Sequence, residues 1–410
     1  MNFGAPLSAA NSDNAERFNT LQKIIRDRMP ELDGLRGIAI LTVLWHNGAW
    51  ARHWEINGAL AHLFNLFLNI GWVGVQLFFV LSGFLITGIL LDEKGSPNFF
   101  RNFYARRVLR IFPLYYVTLL VLLVILPALD VQAAIDIRNQ THSIWYWLFL
   151  ANWSIPTIGG PGALSHFWSL AVEEQFYLLW PFAIVVFNHK GLARLCLTLI
   201  ASALLMRIVM INHGFDFAEW RAYEFTFARW DALACGAALA LMLRVRAWHD
   251  WMHTLAIPAV GATLCYIVIF IVVEHNYAPV EHGVAALNQT VAAVLFAALI
   301  YLAIARERGA WPTFLRNSAL RSVGKYSYAM YVFHYPLLMF FNLYFGEKAG
   351  SFELTYPILA LLLRVTAIGV ASYALAICSW YVLEQPCLAL KRHFVARRTV
   401  VVSRSGVMPN

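Results

Sequence analysis

The chain has 410 residues, of which 60% are hydrophobic and only 13% are charged, and its formal net charge is +8. This composition excludes an ordinary soluble domain and predicts an all-α, polytopic transmembrane helix bundle, because helices satisfy their own backbone hydrogen bonds in lipid. The positive charge lies largely in short Arg and Lys clusters between apolar runs. The positive charge is therefore evidence first for the membrane topology of the chain and only then for a ligand. We expect no nucleic-acid partner.

The first 30 residues are polar and charged, and they lack the apolar core and cleavage site of a signal peptide. We therefore expect a cytoplasmic tail there, with insertion starting at the first apolar span. Five cysteines, an odd number, lie in or beside apolar spans without CxxC spacing, which predicts buried free thiols. We predict no metal site.

Ten apolar runs are each long enough, or nearly so, to span a bilayer. They lie at about residues 36–52, 66–91, 111–129, 167–187, 192–212, 223–243, 254–273, 284–305, 326–345 and 356–383. An eleventh run, at 143–153, is too short and is expected to form a re-entrant or interfacial helix. With ten spans, all six basic clusters fall on one side, which the positive-inside rule makes cytoplasmic. Both termini then lie inside, and the chain divides into a tail at 1–30, a transmembrane domain at 31–390 and a tail at 391–410.

Two polar side chains stand out in the first span. Arg36 is near its inner end, and His46 lies about 15 Å further out at the helical rise. A buried histidine with a carboxylate partner can be poised near neutral pH as a general base, and Glu173 of the fourth span is such a partner. The alternative is that His46 makes only a hydrogen-bonded helix contact.

A basic run, NFYARRVLRIFPLYY at residues 102–116, begins the third span. Arg107 and Arg110 are three residues apart and share a helix face, with Arg106 beside them. Two forked guanidiniums on one face suit a polyphosphate ligand, which they bind by bidentate, charge-assisted hydrogen bonds. The alternative is simple anchoring of the inner end of the span by arginines that reach the interface.

The fourth span, FWSLAVEEQFYLLWP at residues 167–181, carries two carboxylates at membrane depth. An ionisable group there costs a few kcal/mol or more, so it indicates a site. Glu173 shares its helix face with Ser169 and Tyr177, whereas Glu174 shares its face with apolar residues such as Leu170. We therefore expect the side chain of Glu173 to face other polar side chains. The alternative is a carboxylate satisfied by a neighbouring Arg or Tyr for packing alone.

Two later spans carry further polar groups. FARWDALACGAALA puts Arg229 and Asp231 in the span at 223–243, where the two charges can offset each other. SYAMYVFHYPL sets Ser327, Tyr331 and His334 on one face of the ninth span. We treat these groups as candidates for supporting roles.

Taken together, the motifs LDGLRGIAIL, FFVLSGFLIT, FYARRVLRIFPLYY, FWSLAVEEQFYLLWP, RWDALACGA and YSYAMYVFHYPL resemble the membrane-bound acyltransferase 3 family over about residues 30–390. The resemblance implies a multispan enzyme that moves an acyl group, usually acetyl from acetyl-CoA, to a hydroxyl of a carbohydrate or related acceptor. It implies that His46 is the catalytic histidine with Arg36 as its basic partner, that Arg107 and Arg110 are the RxxR pair, and that Glu173 is the acid of the WSLxVE motif. Supporting positions are Arg106, Tyr177, Arg229 and His334.

The first two spans depart from the family pattern. The family usually sets ten residues between the first-span basic residue and its histidine, whereas Arg36 and His46 enclose nine, and Asn47 stands at the usual place. Residues ten positions apart point about 80° away from each other around a helix axis. Either a local bulge brings His46 back to the helix face of Arg36, or His46 acts from a different angle. In the second span Gln76 replaces the common acidic residue. Ser82 lies among glycines that permit close helix packing, and we assign it no chemistry.

These features predict a donor site on the cytoplasmic side and an acceptor site further out. We expect the phosphates of acyl-CoA, the donor substrate, to bind at Arg107 and Arg110, with Arg36 assisting. We place His46 and Glu173 in the outer half, where an exported glycan or glycolipid acceptor would arrive. His46 would then deprotonate the acceptor hydroxyl directly or carry the acyl group transiently, and we favour direct transfer.

Two other classes of protein remain open. A proton-coupled transporter of a small organic anion would also need buried Arg, Glu and His, but inverted repeats and paired broken helices are not evident in the sequence. A structural assembly subunit would not need so many buried ionisable groups. We expect a bacterial inner-membrane protein in contact with lipid, and a homo-oligomer is compatible with the sequence.

Overall fold

The computed structural model describes residues 29–50, 70–140, 143–154, 164–212, 222–274, 286–306 and 308–394. Within these ranges the chain is helical and contains no strand. The described α-helices of five residues or more are α1 (Pro30–Trp50), α2 (Val73–Glu93), α3 (Phe99–Leu120), α4 (Gln132–Gln140), α5 (Ser143–Trp147), α6 (Phe167–Val186), α7 (His189–Asn212), α8 (Thr226–Met242), α9 (Arg246–Glu274), α10 (Ala286–Ala305), α11 (Ala310–Leu315), α12 (Ser318–Lys325), α13 (Ser327–Thr355), α14 (Pro357–Ser379) and α15 (Gln385–Ala389). The predicted tails fall almost wholly outside the described residues.

Eight of the described helical segments are long and apolar enough to cross a membrane. They are Ile70–Glu93, Phe99–Ala128, Phe167–Val186, His189–Asn212, Ala222–Met242, Arg246–Val273, Ala286–Ala305 and Pro357–Phe394. Each coincides with one of the ten predicted runs, so the prediction of an all-α polytopic bundle is confirmed. The two other runs correspond to α1 and α13, which are long helices but carry more polar residues.

The short run at 143–153 forms α5, of five residues, followed by a 3-10 turn at Ala151–Trp153. Neither element is long enough to cross a bilayer, as predicted. The hydroxyls of Tyr115 and Tyr116 on α3 donate hydrogen bonds of 2.8 and 3.0 Å to the carbonyls of Tyr146 and Trp147. These bonds hold the run against α3.

Glycines bring α2 and α8 into close contact near the centre of the bundle. A Cβ atom at Gly83 would lie 2.0 Å from the carbonyl oxygen of Leu233, and one at Gly236 would lie 2.0 Å from that of Val80. No side chain fits at either position, because real Cβ contacts are never so short. The small residues therefore allow close helix packing, as the sequence predicts.

All five cysteines are free thiols, as expected, but the prediction that they are buried is wrong for three of them. Cys196 and Cys235 are buried, whereas Cys265 and Cys378 are exposed and Cys387 is half-buried. Position in an apolar span does not determine burial within the protein, because the outward face of a membrane helix is equally apolar.

Candidate functional site

A cavity of about 110 Å³ lies where α1, α2, α3, α6 and α13 meet. Its wall carries three guanidiniums and two carboxylates, from Arg36, Arg107, Arg110, Glu173 and Glu174. If both carboxylates are ionised, the charged lining has a net charge of +1, three positive charges minus two negative. The structure thus brings the basic and the acidic motif, which are far apart in the sequence, into one site.

The face of α3 decides which arginines reach the cavity. Arg107 and Arg110 are nearly one turn apart and both line it, as their spacing predicts. Arg106 points elsewhere: its guanidinium forms an ion pair with Glu93 and donates a 3.1 Å hydrogen bond to the carbonyl of Phe394. The structure therefore does not bring Arg106 to the cavity wall.

The guanidiniums of Arg107 and Arg110 are available for a ligand. In the described part of the chain neither group forms an ion pair with a carboxylate. Arg107 instead lies over the rings of Tyr177 and Phe103, with its guanidinium carbon 5.7 and 5.8 Å from their centroids. Arg36 is partly engaged, since its Nη1 lies 3.4 Å from the carboxylate of Asp33. A planar cation held by aromatic rings keeps its N–H fork free for an anion.

Both glutamates of α6 line the cavity. This finding corrects the expectation that Glu174 lies only among apolar side chains. Consecutive helical residues differ by about 100°, and the cavity is wide enough for both. Glu173 lies next to a hydroxyl pair, because the side chains of Ser82 and Tyr177 hydrogen-bond to each other and both interact with its carboxylate. Ser82, to which the sequence assigned no chemistry, therefore belongs to the site.

His46 is not among the described residues that line this cavity. It is half-buried on α1 beside Gly71, where a glycine Cβ would lie 2.4 Å from the histidine Cβ. Helix α1 is regular from Pro30 to Trp50, so no bulge turns His46 toward the face of Arg36. The structure therefore brings Glu173 together with the arginines, whereas the sequence had placed it with His46 in the outer half of the bundle.

Asn47, the next residue on α1, contacts a second histidine. Its Nδ2 lies 2.8 Å from Nε2 of His334, and Nδ1 of His334 lies 2.6 Å from the carbonyl oxygen of Tyr331. A carbonyl only accepts hydrogen bonds, so Nδ1 of His334 donates to it, and Nε2 of the neutral ring accepts from the asparagine amide. The sequence had selected His334 but not Asn47 as its partner.

A third imidazole, which the sequence analysis missed, packs against His334. The ring of His166 lies 5.0 Å from that of His334, between centroids, and is 5% exposed. Burial, and then the proximity of His334, hold the pKa of His166 well below its usual range. His166 directly precedes the FWSL motif, and this position next to a functional helix was the one signal that could have drawn attention to it.

Buried charges on α8 are paired differently from the prediction. Asp231 forms its ion pair with Arg207, at 2.8 Å, and both side chains are fully buried. Arg229 instead lies over the rings of Phe79, Trp168 and Tyr223, with its guanidinium carbon 5.3, 5.3 and 4.9 Å from their centroids. Asp231 therefore forms its ion pair with Arg207, while its charge acts on Arg229 only through space, because residues two apart point to different faces of a helix.

The arginines are the groups of this site that could hold a phosphorylated ligand or cofactor. Among the described residues, no group of three or more His, Cys, Asp or Glu side chains is arranged to hold a metal ion. The cavity arginines can bind a phosphorylated ligand through charge-assisted hydrogen bonds. The adjacent carboxylates and hydroxyls can orient or exchange protons with a neutral part of the same ligand.

Residues 29–381 match the family described as an acyltransferase domain. YrhL of Bacillus subtilis (strain 168) is 32% identical over 336 residues, which cover 76% of this chain and 49% of YrhL. The peptidoglycan O-acetyltransferase OatA of Listeria monocytogenes is 30% identical over 76% of this chain and 50% of its own length. The O-acetyltransferase OatA of Staphylococcus aureus (strain NCTC 8325) is 29% identical over 80% of this chain and 54% of its own.

The chain thus spans about half the length of each of these relatives. No solved structure matches it. The match covers every helix that contributes to the cavity, from the first arginine of α1 to the tyrosines of α13. The chain therefore belongs to the acyltransferase family.

Proposed function

We propose that this chain is an integral-membrane O-acyltransferase that moves an acyl group, most simply acetyl, from acyl-CoA to a hydroxyl of a carbohydrate or glycoconjugate. The observation that carries the proposal is the cavity in whose wall Glu173 lies together with Arg107 and Arg110, neither of which forms an ion pair with a carboxylate among the described residues. Family membership supports acyl transfer. The relatives named for O-acetylation, including one named for peptidoglycan, support a glycan hydroxyl as acceptor.

The arginines suit the phosphates of CoA. Arg107 and Arg110 offer two planar forks on one helix face, a geometry that matches phosphate oxygens. When both carboxylates in the same wall are ionised, they repel a wholly anionic ligand, and the net charge of the lining is only +1. We therefore assign the phosphates to the arginine end and the uncharged thioester to the end beside Glu173.

The sidedness follows from charge. The basic clusters, including the one at 101–110, fall on one side of the ten-span arrangement, and the positive-inside rule makes this side cytoplasmic. Acyl-CoA is a cytoplasmic anion, so the donor meets Arg107 and Arg110 from that side. An exported glycan would approach from the other. In a bacterium this arrangement corresponds to the inner membrane with both termini inside.

The reaction needs a base for the acceptor hydroxyl. The family resemblance assigns this role to His46, which stays a prediction, since His46 is not among the described residues that line the cavity. Glu173, with the adjacent Ser82 and Tyr177 hydroxyls, is positioned to orient the reacting groups. Direct transfer in one step needs only the base, the thioester and the hydroxyl.

The test is acyl transfer by purified protein in detergent, where no gradient exists. Radiolabelled acetyl-CoA is the donor, soluble peptidoglycan fragments are the acceptor, and release of the CoA thiol is measured in parallel. We expect label in the fragments and stoichiometric thiol release. A proton-coupled transporter would give neither, and would instead accumulate an organic anion in vesicles only when a gradient is imposed.

A further inference from the structure

The last described segment of the chain, α15 and the 3-10 turn Leu390–Phe394 that follows it, packs along α3. The guanidinium carbon of Arg101 lies 5.6 Å from the centroid of the Phe394 ring, and the carbonyl of Phe394 accepts a 3.1 Å hydrogen bond from Arg106. The turn therefore reaches the basic run of α3 that also carries the cavity arginines. It lies beyond residue 381, where the match to the acyltransferase family ends, so family membership assigns it no role.

Lys391, in this turn, faces the arginines of α3. The charges of Arg110, Arg107 and Arg106 act on its half-buried ammonium, most strongly that of Arg110. Arg106 is paired with Glu93, but in the described part of the chain neither Lys391 nor the two cavity arginines form an ion pair. Like charges held together and partly out of water repel one another, so an anion between them is stabilised.

One carboxylate approaches this cluster without neutralising it. Glu384, earlier in the chain, acts on Arg110 through space but forms no ion pair with it. Its carboxylate instead accepts a 3.1 Å hydrogen bond from the hydroxyl of Ser379. The N–H donors of Arg110 and Lys391 are therefore not taken up by this carboxylate.

The position of Lys391 relative to the cavity distinguishes it from the arginines. Arg107 and Arg110 line the cavity, whereas Lys391 lies beside them without lining it. Lys391 therefore stands at the outer edge of the arginine end. A CoA thioester that points toward Glu173 places its pyrophosphate at the arginines. The phosphate furthest from the sulfur, the 3′-phosphate on the ribose, then comes to this outer edge.

We propose that Lys391 binds the 3′-phosphate of the acyl-CoA donor, while Arg107 and Arg110 hold its pyrophosphate. The inference rests on the proposed function and goes beyond it by naming a further donor-binding residue and the phosphate that it recognises. A phosphate monoester carries about −1.5 to −2 charges near pH 7. A compact ammonium with three rotatable donors suits such a terminal group, whereas the planar forks of the arginines suit the phosphates of the bridge.

The test is equilibrium binding of two donors, acetyl-CoA and 3′-dephospho-acetyl-CoA, to the purified protein. We expect the wild type to bind acetyl-CoA about 5- to 30-fold more tightly than the dephosphorylated donor. Lys391→Met keeps the unbranched side chain but removes its charge, so it should bind acetyl-CoA about 5- to 30-fold more weakly and lose the preference. Its affinity for the dephosphorylated donor should equal that of the wild type, which also shows that the binding site of the variant is folded.

Two further variants separate this contact from a general effect of charge. Arg392→Met removes a positive charge from the next, exposed residue of the same turn and is the matched control. It should keep the wild-type preference for acetyl-CoA. Lys391→Arg, which retains the charge, should recover most of that preference.

An unchanged preference in Lys391→Met would overturn the inference. An equal loss of affinity for both donors would overturn it too, because the lysine would then act on the pyrophosphate or on the fold. A lipid phosphate is the alternative anion: retention of labelled phosphatidylglycerol that requires Lys391, with an unchanged donor preference, would overturn the inference in favour of a lipid headgroup. If the wild type binds neither donor, the proposed function fails as well, whereas a wild type that binds both donors equally overturns the Lys391 assignment alone.

Discussion

Arg107→Lys and Arg110→Lys keep one positive charge each in the cavity but remove the planar guanidinium. The loss of one charge-assisted, forked hydrogen bond to a CoA phosphate costs about 1–2 kcal/mol. Arg107 also lies over the rings of Tyr177 and Phe103, at 5.7 and 5.8 Å from their centroids. Disturbing that cation–π contact, which positions the side chain for the ligand, adds about 0.5–1 kcal/mol to the loss of binding free energy. No such ring contact is found for Arg110 among the described residues.

The two variants should therefore differ. We expect Arg110→Lys to weaken acetyl-CoA binding about 5- to 30-fold and Arg107→Lys about 10- to 150-fold, since about 1.4 kcal/mol corresponds to a factor of ten. The assay is equilibrium binding of labelled acetyl-CoA to purified protein. The matched control is Arg101→Lys, an exposed arginine of the same helix that does not line the cavity. Unchanged donor affinity in both variants would refute the phosphate assignment and leave the cluster as a topology anchor.

Four further outcomes follow from the structure. Glu173→Gln should lower turnover more than Glu174→Gln, measured by thiol release, because only Glu173 lies beside the hydroxyl pair; the reverse order would contradict this arrangement. Gly83→Ala should destabilise the solubilised protein by about 1–3 kcal/mol in thermal unfolding, since its Cβ would meet a carbonyl of α8 at 2.0 Å, whereas Gly261→Ala, with open space around it, should not. Burial and the neighbouring His334 hold the pKa of His166 well below its usual range, so this ring stays neutral as pH falls through about 6.5, and the pH profile of thiol release should have the same shape in wild type and in His166→Gln; a step near pH 6.5 that only the wild type shows would contradict this. Donor binding should weaken between low and high salt, because salt screens the attraction between the arginines and phosphate, and a salt-independent affinity would argue against it.

The membrane-spanning architecture could be predicted because apolar length is a local property of the sequence. Eight predicted runs coincide with apolar spans, and the same runs would be found without any knowledge of tertiary packing. Helices α1 and α13 are less apolar because they carry polar residues inward, as the contact between Asn47 and His334 illustrates. Hydropathy alone describes such helices less well.

Individual residues of the site could be predicted from the sequence, but the way in which they meet across helices could not. Helix periodicity correctly put Arg107 and Arg110 on one face, but it could not reveal that this face meets Glu173, because the register between helices is set by packing. The sequence also grouped His46 with Glu173, but His46 is not among the described residues that line the cavity with Glu173. Helical spacing states which residues are neighbours within one helix and nothing about partners on another.

The ion-pair partner of Asp231 could not be predicted for a related reason. Asp231 was matched with Arg229, its nearest arginine in the sequence, whereas its partner is Arg207 on another helix. Two residues apart, the side chains of Arg229 and Asp231 diverge, and a buried carboxylate takes the cation that tertiary packing provides. His166 escaped notice because it lies before the helix and outside any periodic pattern.

The central claim is that one cavity binds acyl-CoA with its phosphates on α3 and its thioester beside α6. A structure determined with a non-hydrolysable thioether analogue of acetyl-CoA tests it most directly. The account predicts phosphate oxygens within about 3 Å of the guanidiniums of Arg107 and Arg110, and the acyl carbonyl in the cavity next to Glu173. An analogue bound at another surface, with this cavity empty at saturating concentration, would contradict the account.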